Sequence, residues 1–353
     1  MTSENLLGQC QQAFEQLKRI HRRATVRLVR EREQIQPQFS EFDWNESPRP
    51  MIAIDGSYRE LWHDSQTDSG LYLFRAAATT YKFSPPQELK LIDVESINRI
   101  ALLSRDKGAL LEEANGNLET ELNAAILDFA GRGPREMTLV ASGFQQAYEL
   151  QLALRLAHET RGYFLALDGA LATLKVPILQ KQLQRLSDIA DRNKHWLVGV
   201  TKANRTKSWN RIFTDEEVIS QYAPLDMMAF SPWEPPRINW IERIGSSYFA
   251  RLHPKALKWF RLDVFPETLS PALLFPELAQ YSKDLRLPGY PVPLSEAHRI
   301  CKMIRNVEIV PDHILLKAGL EAELSPDQLM TGLTDYHERV AGGFHERLDT
   351  MTK

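Results

Sequence analysis

The chain has 353 residues, of which 43% are hydrophobic and 25% charged, a composition typical of a folded globular protein. Its formal net charge is −3, so any nucleic acid would have to be bound by a local basic patch. Cys10 and Cys301 form no CxxC pair, which argues against a zinc site or a disulfide framework. We find no membrane-spanning run, signal-peptide pattern or P-loop motif, and expect a cytoplasmic protein without membrane contact that does not hydrolyse ATP through a P-loop.

The first 45 residues are predicted to form a helical N-terminal arm. Apolar residues recur at roughly helical spacing from residue 4 to about 35, and the second half of this helix is basic. The basic half indicates a solvated helix face, a subunit contact or a polyanion contact. Three prolines in 36–50 predict a connector. The cations of the arm are Arg19, His21, Arg22, Arg23, Arg27 and Arg30.

The next part of the chain predicts a mixed sheet flanked by helices. Strands are predicted at 51–55, 71–83 and 88–94, with a polar turn region at 62–70. Helical material at 96–130, a short strand at 137–141 and an amphipathic helix at 143–160 follow. The last elements are a strand at 163–168, a helix at 177–193 and a strand at 196–200. This order is that of the RNase H-like fold.

The final third of the chain is more irregular. Its pattern predicts a strand hairpin from 248–252 and 257–264, and helices at 272–281 and 295–304. No repeat or clear domain boundary is visible. We therefore expect one α/β domain over residues 46–310 and a C-terminal helical segment at 311–353.

Two aspartates are placed alike. Asp55 and Asp168 each end an apolar run and precede a glycine, which predicts a turn out of the sheet. Each would lie at the carboxyl end of a core strand, where a divalent cation is the usual compensation for paired carboxylates. Glu149, on the intervening helix, is the candidate third acid, with Glu112 and Glu113 as alternatives.

Taken singly, these acids have simpler interpretations. A lone Asp-Gly is most often a turn, and a lone Glu within a helix is usually solvated. Their joint occurrence in this strand order favours metal-assisted phosphodiester hydrolysis, in which converging carboxylates hold the cations.

Two further segments carry candidate site residues. Lys202 follows the last core strand and opens a basic loop that either lines a channel for single-stranded nucleic acid or is an ordinary exposed loop. The loop residues are Arg205, Lys207, Trp209 and Arg211. In the proline-rich segment 287–298, Tyr290 either stacks on a base or fills the core. His298, in the predicted first turn of a helix capped by Ser295, either contacts metal, water or phosphate or is purely structural.

These residues together resemble the NurA family of prokaryotic DNA nucleases. The resemblance spans residues 51 to about 310. One departure is Ala170, where many relatives have Ser. The matching segments are Ile54-Asp55-Gly56-Ser57, Glu149 in its helix, Leu167-Asp168-Gly169-Ala170-Leu171, Gly199-Val200-Thr201-Lys202, Gly289-Tyr290-Pro291 and Glu296-Ala297-His298.

The resemblance implies a manganese-dependent deoxyribonuclease, with Mg²⁺ also possible, that has 5′-to-3′ exonuclease and single-strand endonuclease activity. It implies a homodimer that acts with HerA, a hexameric ATP-driven translocase, in DNA end resection and repair. By position, Asp55, Glu149 and Asp168 would bind metal, and Lys202, Tyr290 and His298 would complete the site. The alternatives are a non-catalytic DNA-binding adaptor of a translocase on the same fold, and an RNase H-like enzyme acting on RNA or a hybrid.

Overall fold

A nine-stranded mixed sheet, with helices packed on both faces, forms the centre of the computed structural model. The structure describes residues 37–45, 48–64, 67–84, 88–104, 136–202, 205–208, 213–224, 226–306 and 312–340, with 14–16, 18–19, 122 and 125–126. Most of the predicted N-terminal arm lies outside these described residues.

The strands are numbered in chain order. The large sheet has the spatial order β1-β8-β10-β11-β7-β5-β2-β3-β4, while β6 and β9 form a separate two-stranded sheet. Their bounds are β1 (Ser40–Glu41), β2 (Met51–Asp64), β3 (Ser69–Ser84), β4 (Glu88–Ser104), β5 (Phe164–Asp168), β6 (Ala172–Leu174), β7 (Trp196–Thr201), β8 (Ala229–Pro232), β9 (Ile241–Arg243), β10 (Ser246–Arg251) and β11 (Phe260–Phe265).

Seven helices are described within the ranges given above. The predictions at 143–160, 177–193 and 272–281 are confirmed by α1, α2 and α4, and two further helices lie in the C-terminal segment. The bounds are α1 (Glu136–Glu159), α2 (Pro177–Arg192), α3 (Asp215–Tyr222), α4 (Pro271–Gln280), α5 (Val292–Asn306), α6 (Asp312–Glu321) and α7 (Pro326–Val340). Within the described part of the chain, no helix is both long and apolar enough to cross a membrane.

The core of the large sheet has the strand order of an RNase H-like fold, as the sequence predicted. β2, β3 and β4 form an antiparallel meander, and β5 and β7 then continue from β2 in parallel. Ile54 of β2 pairs with Leu167 of β5, so the next residues, Asp55 and Asp168, occupy the same level at one edge. The predicted hairpin in the final third is confirmed by the antiparallel pairing of β10 and β11.

Alternation along the strands decides which face each aspartate takes. Ile52 and Ile54 pack in the core on the α1 and α2 side, whereas Met51 and Ala53 belong to the core on the α4 and α5 side. Because successive strand side chains point to opposite faces, Asp55 follows Met51 and Ala53 toward α5. The same parity in β5 sends Asp168 to that face.

Three boundaries predicted from the sequence are wrong. Residues 96–104 are not helical but complete β4, which pairs with β3 along its whole length, from Glu88 opposite Ser84 to Ser104 opposite Ser69. Leu102 is exposed while Leu103 is buried, as expected for a strand, in which successive side chains point to opposite faces. The rest of the predicted 96–130 helix lies almost entirely outside the described residues.

The predicted strand at 137–141 is the first part of α1 instead. Val140 and Ala141 are buried with Phe144, a spacing that places them on one helical face against the sheet. The predicted turn at 62–70 is also shorter than expected, because β2 and β3 remain paired out to Asp64 and Ser69.

Gly199 of β7 is required by the loop that follows Asp168. A Cβ at this position would lie 2.6 Å from the Gly169 carbonyl oxygen and 2.7 Å from the Leu171 nitrogen, and backbone atoms cannot move aside individually. We predict that Gly199→Ala lowers the free energy of unfolding by about 1–3 kcal/mol, the usual cost of overpacking. Thermal unfolding of the purified variant tests this.

Gly143→Ala is the matched control. Its Cβ would meet Cδ1 at the end of the Ile126 side chain instead of backbone atoms, and alanine favours the helix that contains it. A Gly199→Ala protein that unfolds at the wild-type temperature would contradict the close approach seen here.

Candidate metal centre

Asp55 and Asp168, which lie side by side on β2 and β5, meet one histidine. Nδ1 of His298, on α5, lies 2.6 Å from Oδ2 of Asp55 and 3.6 Å from Oδ2 of Asp168. One ligand atom from each of the three side chains lies within 4.8 Å of the others. The predicted convergence of Asp55 and Asp168 is therefore present, and His298 lies between them. Because α5 begins at Val292, His298 is in its second turn, and Ser295 is inside the helix rather than its cap.

Lys202 offsets the negative charge of Asp168. Lys202 follows β7, and its Nζ lies 2.5 Å from Oδ2 of Asp168 and 5.1 Å from the centre of the Tyr290 ring. The parallel pairing of β5 with β7 brings these residues to one edge of the sheet. The predicted position of Lys202 beside the acids is thus present in the structure.

Glu149 reaches the same edge from α1, on the opposite face of the sheet. Nε2 of Gln145 donates to Oε1 of Glu149 at 2.7 Å and to the Gly56 carbonyl at 3.0 Å. This pair of hydrogen bonds fixes the carboxylate beside β2. Gln145, which the sequence analysis did not single out, lies one helical turn before Glu149, and that spacing is the signal that could have identified it.

Gly56 has a different role from the one predicted. The chain does not leave the sheet there, since β2 continues to Asp64 in pairing with β3. A Cβ at Gly56 would instead lie 2.2 Å from Oε1 of Glu149 and 2.9 Å from Cγ of Gln145. The missing side chain makes room for the third acid. At Gly169, where φ is +136°, the predicted turn is present.

Burial and the charges of neighbouring carboxylates raise the pKa values of Asp55 and Glu149. Burial is the main cause of the raised pKa of Asp55, and the nearby charge of Asp168 adds to it, while the hydrogen bond from His298 opposes both. Burial, together with the charges of Asp55 and Asp168, raises the pKa of Glu149 to about 8, and the hydrogen bond from Gln145 opposes this rise. Burial, followed by Asp168 and Asp55, also raises the pKa of the Tyr290 hydroxyl.

The donor set suits a hard divalent cation. Two carboxylates and one imidazole converge, and carboxylate oxygens are typical ligands of Mg²⁺ and Mn²⁺. Glu149, predicted as a third ligand, lies on the opposite face of the sheet and is not among the three converging side chains. A cation bound by Asp55 and Asp168 would relieve the repulsion that helps to raise the pKa of Asp55. Asp55, Asp168 and His298 therefore fit a metal site.

Two cavities adjoin this edge. One, of about 410 Å³, is lined by Glu149 and Asp168 and by apolar residues of α1 and β6. The other, of about 620 Å³, is lined by His298 and Tyr290 and by Arg286, Arg299 and Lys302. An extended ligand can therefore approach the acids from either side.

The remaining predicted site residues differ in their surroundings. Tyr290 is only 6% exposed and packs on Phe260, so its ring fills the core, and this burial does not support base stacking. Arg205 and Lys207 are exposed in the loop after β7, where buried Asp215 holds the backbone nitrogen and hydroxyl of Ser208. Trp209, Arg211, Glu112 and Glu113 lie outside the described residues.

Sequence analysis missed a buried anchor of the Asp168 loop. Asp263 of β11 is 2% exposed and accepts hydrogen bonds from the Leu171 nitrogen at 3.1 Å and the Ser247 hydroxyl at 2.6 Å. It also accepts two bonds from Arg261, at 3.0 and 2.8 Å. Arg261 and Asp263 are charged residues within an otherwise apolar strand, and this departure from the apolar pattern is the signal that could have revealed their ion pair.

The strand order and the acids at its edge define an RNase H-like protein with a candidate metal centre. A model of the NurA domain matches residues 49–303, which is more than half of the chain. The chain belongs to the NurA family, as its motifs indicated.

Solved NurA structures share this fold at low sequence identity. The chain is similar to a NurA crystal structure (10% identity, TM-score 0.51) and to NurA bound to dAMP and manganese (10%, 0.50), each alignment covering 94% of this chain and 100% of the other. A third match is the NurA nuclease from Sulfolobus solfataricus, with 15% identity, coverage of 85% and 99%, and a TM-score of 0.49. No curated protein shows a significant match to the chain.

The raised pKa of Glu149 predicts a pH-dependent cost to the metal-free fold. Between its ordinary pKa of 4.5 and about 8, the unfolded chain loses this proton while the folded protein keeps it, so stability falls as pH rises through that range. We predict that Glu149→Gln, with chelator present, raises the melting temperature by several degrees near pH 8.5 and changes it little near pH 5.

Thermal unfolding at both pH values measures this effect. Glu159→Gln, an exposed change at the far end of α1, is the matched control and should show no comparable pH dependence. Equal stabilisation by Glu149→Gln at both pH values would contradict the assignment of the raised pKa.

Proposed function

We propose that this chain is a divalent-metal-dependent nuclease that hydrolyses phosphodiester bonds in DNA. The observation that carries the proposal is the convergence of Asp55, Asp168 and His298 at one sheet edge, with Glu149 and Lys202 beside them. Membership in the NurA family supports a nuclease function, and a NurA structure that holds dAMP and manganese supports this substrate and metal.

Asp55, Asp168 and His298 would hold the metal, with Glu149 as the further acid. When bound, the cation supplies an activated water and stabilises charge on the phosphate oxygens. We propose Mn²⁺, and Mg²⁺ also suits the carboxylates.

The chain's own side chains can position the phosphate. Lys202 is close enough to Asp168 for its ammonium group to neutralise a phosphate oxygen placed beside that carboxylate. Nδ1 of His298 faces both Asp55 and Asp168 and would ligate the cation between them, so Nε2 is the ring nitrogen left to hydrogen-bond water or substrate. The buried Tyr290 ring packs against the Lys202 ammonium and thereby limits where that cation can lie.

The surrounding cavities favour a polynucleotide over a small substrate. They lie on either side of the acids, and Lys302 adds a cation to the one beside His298. We propose that Arg205, Lys207 and Trp209 contact DNA from the loop after Lys202, as an exposed basic loop beside the site can track a phosphate backbone.

The remaining functional proposals rest on the family resemblance. They are 5′-to-3′ exonuclease and single-strand endonuclease activity, a homodimer, and action with a HerA-type hexameric ATPase in DNA end resection and repair in the cytoplasm. The sequence has no P-loop motif, which agrees with a motor supplied by a partner.

Asp168→Asn tests the catalytic role directly. The amide keeps the shape of the carboxylate but removes the charge that holds a cation, so we predict at least a roughly hundredfold loss of manganese-dependent DNA cleavage. The fold should persist, and metal-free stability should not fall, because one partner of a repelling pair is gone. Cleavage of labelled DNA and thermal unfolding measure the two effects.

Asp188→Asn, an exposed change on α2, is the matched control and should cleave normally. If the wild-type protein cuts no DNA with manganese, either alone or with a HerA-type translocase, the chain is a non-catalytic DNA-binding adaptor instead of a nuclease. Preferential cleavage of RNA or a hybrid in parallel assays would identify the third alternative. Loss of fold together with activity in Asp168→Asn would contradict a site built for metal.

Gly56→Ala tests the placement of Glu149. The new methyl group would lie 2.2 Å from Oε1 and 2.7 Å from Cγ of Glu149 and 2.9 Å from Cγ of Gln145, so both side chains must shift and the carboxylate is displaced. Because a displacement of about 1 Å can cost a hundredfold in rate, we predict at least a roughly tenfold loss of cleavage.

The Glu149→Gln background provides the control for this substitution. If Gly56→Ala acts by displacing Glu149, it should cause little further loss when Glu149 is already replaced. Full additivity of the two losses, or normal activity of Gly56→Ala, would contradict the mechanism.

A further inference from the structure

A cavity of about 620 Å³ lies beside the metal centre, between α5 and the loop that joins α4 to α5. His298 and Lys302 line its helical side, and Leu287 lines its loop side. Neither Asp55 nor Asp168 lines the cavity, which therefore adjoins the acids through His298. The proposed nuclease chemistry takes place beside this cavity and does not by itself define what occupies it.

Two arginines of the cavity are already paired with acids. Nη2 of Arg286 donates to Oδ2 of Asp284 at 2.5 Å, and Nη2 of Arg299 donates to Oε1 of Glu296 at the same distance. These side-chain hydrogen bonds are the main cause of the lowered pKa values of Asp284 and Glu296. The charge of each arginine is thus offset by an acid from its own segment of the chain.

Lys302 is the cation of the cavity that has no such partner. Its side chain is exposed, and within the described part of the chain no carboxylate lies at ion-pair distance from its ammonium group. The cavity lining holds three cations, two acids and His298, so Lys302 gives it an excess of positive charge. An open space with an unpaired ammonium group attracts an anion.

The position of Lys302 along α5 suits a second phosphate group. Lys302 follows His298 by four residues, which is about 6 Å along a helix axis and one turn on the same face. This step is comparable to the separation of successive phosphates in an extended polynucleotide strand. A strand whose scissile phosphate lies at His298 therefore brings a neighbouring phosphate to Lys302.

The loop side of the cavity offers a fixed apolar contact. Leu287 is 50% exposed, and backbone hydrogen bonds hold its turn: its nitrogen donates to the Asp284 carbonyl and its carbonyl accepts from the Tyr290 nitrogen, each at 3.1 Å. A sugar or base can cover such a side chain only where the nucleotide is not enclosed in a paired stack. An apolar wall and a free cation in one cavity therefore favour an unpaired strand over a duplex.

We propose that this cavity binds an unpaired segment of the DNA substrate. Lys302 contacts the phosphate next to the scissile one, and Leu287 contacts the sugar or base attached to it. The proposal rests on the proposed nuclease function, because it takes the metal centre as the place of cleavage. It adds a strand-binding site whose contacts can be measured without cleavage.

Binding of a fluorescent oligothymidylate, measured by anisotropy with chelator present, tests the site without cleavage. Lys302→Gln should weaken binding about three- to tenfold at low salt. It should also reduce the slope of log affinity against log salt by about 0.7, the value for one phosphate contact on a single strand. Lys181→Gln, an exposed change on α2 and on the opposite face of the sheet, is the matched control and should change neither quantity.

Leu287→Asn separates the apolar contact from the charge. It should weaken oligothymidylate binding about threefold or more because apolar contact area is lost, and it should leave the salt slope unchanged because no cation is lost. Leu285→Asn, an exposed change in the same loop but outside the cavity lining, should alter neither.

Neutral methylphosphonate linkages locate the Lys302 contact relative to the cleaved bond. In single-turnover cleavage with manganese, neutralising the one phosphate beside the cleaved bond that meets Lys302 should slow the wild-type protein about three- to tenfold. The same linkage should cause little further loss in Lys302→Gln, because the two changes remove one contact.

An unchanged salt slope in Lys302→Gln, an unchanged affinity in Leu287→Asn, or full additivity of linkage and substitution would overturn the proposal. Absence of oligothymidylate binding at low salt would overturn it as well. The expected binding effects in a protein that cuts no DNA would contradict the nuclease function and support the strand-binding site, so the two failures are distinguishable.

Discussion

The repulsion between two neighbouring carboxylates is the constraint around which this structure is arranged. The register of β2 against β5 places Asp55 and Asp168 at one level of the same face, where burial and proximity raise the pKa of Asp55. His298 lies between them and Lys202 pairs with Asp168, so cationic or proton-donating groups offset the repulsion in the metal-free protein. Such an arrangement costs stability unless a cation compensates it, which is why it indicates chemistry rather than folding.

Several features away from the acids serve to keep them in position. Gly199 lets the loop after Asp168 cross β7 closely, and Asp263 binds the backbone of that loop at Leu171. Below Asp55, the buried Cys301 thiol of α5 donates to the Asp55 carbonyl at 3.1 Å, which ties this helix to β2. Positioning therefore comes from both faces of the sheet.

The sequence predicted the parts of this arrangement that depend on strong local patterns. Apolar runs ending in Asp55 and Asp168 identified the core strands, and the spacing of apolar residues identified α1 and α2. The strand order then predicted which ends would meet. Glu149 was placed near the sheet edge by the direction of its helix, and the structure puts it beside Gly56.

What the sequence could not predict depends on contacts between distant segments. β4 runs to Ser104 only because β3 offers a long partner, and no residue of β4 before Ala101 is buried on either face, so most of the strand has no clear apolar pattern. The reason for Gly56 is a side chain 93 positions further along the chain, and the burial of Tyr290 depends on Phe260. Asp263 and Gln145 act through hydrogen bonds that no local periodicity shows.

The central claim is that Asp55, Asp168 and His298 bind one divalent cation together. A crystal soaked in manganese, measured at a wavelength where manganese scatters anomalously, tests it most directly. The claim predicts an anomalous peak at coordination distance from both carboxylates, with His298 as a further ligand. A peak bound elsewhere, or no peak between residues 55 and 168 at saturating manganese, would contradict it.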